Sequence, residues 1–193
     1  MHKNLQYESM GFSMPKNAER RVVKMNYQGL MATERMSEIM MMCDRNNPVY
    51  EHLSSFSVAL YTLGFFDCPD MMSFRDVPAG EASEILKTHF VQINPDKVPF
   101  DYHIAESMER YLLVVGDPLF PRHFAVISDM RSSRPYFSKL PFFGAGHDSL
   151  DELMDEFAGV DGVSRRDIHF FRKTWYGQIP PSSVGKIFII KND

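Results

Sequence analysis

The stretch Arg110-Tyr-Leu-Leu-Val-Val-Gly-Asp-Pro-Leu-Phe-Pro-Arg-His-Phe-Ala-Val-Ile-Ser-Asp129 sets the architecture. Two apolar runs, Tyr111 to Val115 and Phe124 to Ile127, flank a break holding a glycine and two prolines. Glycine and proline interrupt regular structure, so the pattern predicts two strands folded back on each other. A link this short joins antiparallel strands, because a parallel crossover needs about a dozen residues or more. Leu112 to Val115 is apolar at every position. Such a run needs cover on both faces of a sheet and predicts a central strand.

Working outward toward the C-terminus, Tyr136 and Phe137 suggest an edge strand, and Gly144 to Gly146 a flexible turn. Ser149 and Glu152 have the spacing of a capping box, which predicts a helix start there. Leu150, Leu153, Met154 and Phe157 form its apolar face, and Gly159 is expected to stop it. Ile168 to Thr174 and Gly185 to Lys191 read as two further strands.

Toward the N-terminus the periodicity turns helical. Thr33 is placed to cap a helix whose Ala32, Met36, Ile39, Met40 and Cys43 share a face. Pro48 is expected to open a second helix with Val49, Leu53, Phe56, Leu60 and Leu63 on one stripe, closed by Gly64 in a left-handed cap. A third helix spans about Ala79 to Phe90, and Asp101 to Met108 suits one more helical piece. Residues 1–18 are polar and without a sustained period, which predicts a flexible arm. The expected organisation is that arm followed by one α+β domain, residues 19–193. It has a helical layer over about 30–108, packed on a mainly antiparallel sheet of four or five strands with one helix over about 109–193.

The totals narrow the function classes. A chain of 193 residues with 44% apolar and 24% charged residues can bury a core without disulfides or metal. A net charge of −4 argues against non-specific nucleic-acid binding, which draws its affinity from basic surface. No apolar run approaches the ~18 residues of a membrane span. No signal-peptide pattern is visible, and Cys43 and Cys68 do not make a disulfide framework, so a cytoplasmic setting is expected.

Chemistry-bearing groups are scattered. No two of the seven histidines have metal-ligand spacing; His103 and Glu106 form His-x-x-Glu without marked further ligands, so neither a metal nor another cofactor is expected. Cys68 lacks a designated base, and no serine stands in a nucleophile elbow, so no catalytic residue is assigned. His147 follows a glycine turn before a helix, a geometry that takes anions, but Asp148, Asp151, Glu152, Asp155 and Glu156 crowd that helix and would repel phosphate.

Methionine is the distinctive signal. Eleven of the 14 methionines lie in residues 1–72, and three are consecutive, Met40 to Met42. One helix stripe cannot bury all three. Soft, unbranched side chains fill irregular cores, and they also line adaptable protein-binding surfaces. The sequence therefore suggests a non-catalytic adaptor or chaperone-like subunit of a larger assembly, such as a secretion or coupling complex. It would hold a helical or extended segment of another protein on Met41, Met42, Phe65, Phe66, Met71, Met72 and Phe74. An alternative is a small enzyme or ligand-binding protein with its polar site between sheet and helices, built from His103, Glu106, His123 and Arg131, or from Cys68 and a histidine. A third reading is an acid-recognition surface of Arg131, Arg134, Arg165, Arg166 and Arg172.

Overall fold

Leu112 in β2 (Tyr111–Val115) stands opposite Val126 in β3 (His123–Ile127), and the two strands run antiparallel across the break that separates them. The computed structural model describes residues 27–43, 45, 53–67, 75–161 and 163–174. Around the central pair the sheet has six strands, in the order β1-β6-β2-β3-β4-β5. The others are β1 (Phe90–Ile93), β4 (Tyr136–Lys139), β5 (Ala145–Asp148) and β6 (Ile168–Lys173). Every neighbouring pair is antiparallel. With the helices mostly N-terminal to the sheet, the class is α+β.

All residues of β2 and β3 are buried. Alternation along β3 shows how. Phe124 meets Phe56 of α2 (Ser55–Thr62) edge-to-face at 4.9 Å, while its neighbour His123 packs at 4.9 Å and a tilt of 44° against Phe157 of α4 (Leu150–Asp161). One helix thus covers each face of the central strands. All eight residues of α2 are buried, between the sheet and α1 (Tyr27–Met42), and α3 (Ala79–His89) turns directly into β1.

Several boundaries differ from the sequence reading. Thr33 is not a cap, because α1 already begins at Tyr27. The second helix starts at Ser55, and Ser54 accepts the cap bond from the Ser57 amide; Pro48 lies outside the described residues. Gly64 does take the left-handed conformation, at φ 78°, that closes the helix. Asp101 to Met108 forms turns around Arg110, whose Nη1 donates to the carbonyls of Ile104, Ser107 and Glu109. Three backbone acceptors held by one guanidinium replace the ladder a helix would have supplied.

β4 is interior rather than an edge, because the predicted turn at Gly144–Gly146 is instead the start of β5. The capping box of α4 is present: Ser149 N donates to Glu152 Oε2 at 2.8 Å, and Glu152 N to Ser149 Oγ at 3.1 Å. Gly159 does not end that helix, which runs on to Asp161. The predicted arm 1–18 and the strand Gly185 to Lys191 lie outside the described residues.

Candidate functional site

The last turn of α1 presents methionine in two directions. Ile39, Met42 and Cys43 point into the core, whereas Met41 is 80% exposed and Met40 is 39% exposed. Three successive residues on a helix span about 200° of its circumference, so one apolar stripe cannot absorb them. Met42 is therefore part of the core and not of the surface; Met40 takes its place beside Met41. Met71, Met72, Phe74 and Cys68 lie outside the described residues.

Phe65 and Phe66 are half-buried. Phe65 stacks on Phe90 at 5.6 Å and meets His89 edge-on at 5.3 Å, and Phe66 leans on Tyr61 at 6.0 Å. Both rings spend much of their area inside the molecule.

Beside Met40 a groove of about 520 Å³ runs between α1 and the loop that joins β3 to β4, with the turn at His103 and Ile104 and with His147 of β5. Its two sides differ. The α1 side carries Met36 and Met40 with the hydroxyls of Thr33 and Ser37 between them; the facing side carries Ile104 among polar groups, chiefly His103, Asp129, Ser132, Arg134 and His147. Two strongly exposed aromatics stand nearby in the chain. The Ala145 amide donates to the Cys43 carbonyl, which joins the end of α1 to the β4–β5 turn that carries Phe142 and Phe143. Phe142 is 89% exposed and held at φ 60°, a conformation that costs a bulky residue energy.

Among the described residues the acids of the polar side are taken up in ion pairs. Arg131 bridges Asp129 at 3.1 Å and Glu106 at 3.4 Å, and His103 pairs with Asp129 through a β-bridge. Thus His103, Glu106 and Arg131 meet, but His123 does not join them: it sits at the opposite end of β3, fully buried. Partial burial pushes the Asp129 carboxyl upward, but the Arg131 amide and guanidinium outweigh it and hold the group below the ordinary carboxylate range. A carboxylate tied up in this way is a poor base near neutral pH.

Ser128 Oγ lies 3.2 Å from His147 Nδ1, a contact that resembles a nucleophile with its base. The hydroxyl is also 2.9 Å from the Pro135 carbonyl, which can only accept. The serine proton therefore goes to that carbonyl, and His147 donates to Ser128 rather than receiving from it. Burial lowers the basicity of His147, against the smaller pull of Asp148. The pair fixes the strand end and does not activate a hydroxyl. Among the described residues no group of three His, Cys, Asp or Glu side chains is placed to hold a metal ion, and no helix is long and apolar enough to cross a membrane.

The surface arginines are paired one by one: Arg134 with Glu152, Arg165 with Asp151, Arg172 with Glu109. They tie strands and loops to neighbouring acids instead of forming one basic face. Sequence reasoning missed Ser128 and Met36 as groove residues. Ser128 was passed over because it lacks an elbow motif, and Met36 because its period reads as core. No family model, curated protein or solved structure matches this chain.

Proposed function

We propose that the chain is a non-catalytic, protein-binding adaptor that seats an amphipathic segment of a partner protein in the groove beside α1. The observation that carries this reading is the exposure of Met40, which lines a groove with Met36 on the α1 side and polar groups opposite, and of Met41, which stands next to it on the adjoining face of α1. An amphipathic helix fits such a groove, with its apolar face on Met36 and Met40 and its polar face on the loop that carries Ser132 to Arg134. Flexible thioethers adapt to an apolar face without strict shape matching. A subunit of a larger assembly, cytoplasmic and dependent on no cofactor, is the setting proposed for this activity.

The test is a Met40→Gln, Met41→Gln double variant. Partner recovery from the native host should fall at least about tenfold, because two apolar contacts of ~1 kcal/mol each are lost. The melting temperature should stay within about 2 °C, since exposed positions away from the core contribute little to stability. Undiminished recovery of the same partner would remove the reading. So would a large drop in melting temperature, which would show these side chains to be structural.

A further inference from the structure

We propose that a second cavity, ringed by Arg35, Thr62, Arg110 and Lys173, is a binding site for a phosphate group. It lies toward the other end of α1 and has a volume of about 290 Å³, bounded by Met31, Ala32 and Arg35 of α1, Thr62 to Gly64 at the end of α2, Arg110 before β2, and Lys173 at the end of β6.

Two buried polar atoms on its walls have no hydrogen-bond partner among the described residues: Thr62 Oγ1 and Arg110 Nη2. Thr62 is 2% and Arg110 3% exposed. A buried donor without an acceptor is costly, and such groups are rare in native proteins unless water or a ligand satisfies them. Both occur on this one cavity. A single water needs about 15 Å³, so one water does not fill the space.

The charge arrangement points the same way. The Lys173 amide donates to the Arg110 carbonyl at 2.8 Å, so the two cations are cross-strand neighbours. Like charges placed opposite each other in a sheet are unfavourable. Arg35 adds a third cation on the α1 side, with Nη1 donating to the Tyr61 carbonyl at 2.8 Å. Lys173 Nζ donates to the Leu63 carbonyl at 2.8 Å and sits 4.3 Å from the Phe65 ring centre. Burial, with Arg110 and Arg35 adding to it, pushes the Lys173 ammonium down to about 8.

Arg35 also pairs with Asp67, whose side chain is 89% exposed. Three cations and those two unpartnered donors around one cavity suit an anion with several acceptor oxygens. A phosphate group offers more acceptor oxygens to such donors than a carboxylate does. Arg110 Nη2 supplies two N–H groups and Thr62 one O–H, all donors suited to phosphoryl oxygens.

The experiment is thermal unfolding of the full chain in a phosphate-free, low-salt buffer. Inorganic phosphate is titrated in, with sodium acetate and sodium chloride at matched ionic strength as controls. Saturating phosphate should raise the melting temperature by about 5 °C, and acetate and chloride should have little effect. Thr62→Val removes the unpartnered hydroxyl at nearly constant volume, so it should raise the melting temperature without phosphate while weakening phosphate binding about tenfold. Lys173→Met should weaken binding by a similar factor. If Lys173→Met does not fold, Thr62→Val decides alone. No response of the wild-type chain to phosphate would mean that the cavity holds water only, and the proposal fails. An equal response to acetate overturns the phosphate assignment. Full phosphate stabilisation in both variants places the ion elsewhere and overturns the site.

Discussion

Between pH 7 and pH 4.5 the wild-type chain is expected to lose about 2.5 kcal/mol more stability than a His123→Leu variant. His123 is buried at the start of β3, and its Nε2 has no hydrogen-bond partner among the described residues. Burial, with the Lys139 ammonium adding to it, pushes this imidazole down to about 3 from an ordinary value of 6.5. In the unfolded chain the ring takes up a proton as pH falls through its ordinary value. In the folded chain it stays neutral until far lower pH. The unfolded state therefore binds about one more proton across this window, and stability falls by roughly 1.4 kcal/mol per pH unit below about 6.5. His147 is displaced in the same direction and remains in the variant, so the variant should keep a shallower slope and not a flat one. Leucine also abolishes the orphaned nitrogen, and at pH 7 the variant should be at least as stable as wild type. Urea unfolding at a series of pH values reads both effects. Parallel profiles in the two proteins would show that the ring is protonated, or wet, in the fold.

That histidine also shows where sequence reasoning reaches its limit. Its strand was legible, because five consecutive residues without a charged or turn-forming side chain beside a mirror-image run leave few alternatives. Its environment was not, because burial of a polar ring depends on α4 arriving from about 30 residues away, bringing Phe157. The same division holds elsewhere. The capping box of α4 lies within four residues and was readable; so was the left-handed Gly64. By contrast, β1 is only Phe90-Val-Gln-Ile and follows a helix without a break, so local pattern ends the helix at about Phe90 and leaves the strand unread. β5 is Ala-Gly-His-Asp, with almost no intrinsic strand preference, and it exists because β4 pairs with it. The groove fared in between. Methionine composition pointed to α1, but only packing separates the buried Met42 from the exposed Met41. The cationic cavity left no mark at all, since Arg35, Arg110 and Lys173 come from three distant segments that share no motif.

Replacing Asp148 by alanine should cost about 3 kcal/mol, the scale on which a buried ion pair punishes loss of one partner. Asp148 closes β5 and is 1% exposed; its carboxylate pairs with Arg45, just beyond the end of α1, and accepts weakly from Ser138 Oγ at 3.5 Å. Arg45 lies along the strand so closely that a Cβ at Gly146 would come within 2.8 Å of its Nε, an atom without a hydrogen-bond partner among the described residues. A Cβ there would meet the guanidinium and no backbone strain, so Gly146→Ala should destabilise only as far as it displaces Arg45 from Asp148, and should cease to do so once Arg45 is removed. If the clasp is an ion pair and not mere packing, Arg45→Met combined with Asp148→Leu should recover at least half of the loss, because an apolar pair carries no desolvation debt. Urea unfolding of the two single variants and the double variant separates these cases through their coupling energy. A double variant as unstable as Asp148→Ala would mean that the acid acts through Ser138 and the strand pairing instead. The clasp matters beyond stability. With the Ala145–Cys43 backbone bond it fixes the end of α1 against β5, and Met40 and Met41 ride on that end. Losing Asp148 should therefore loosen the α1 side of the groove as well as the fold, and partner recovery by Asp148→Ala should fall even at temperatures where the variant remains folded.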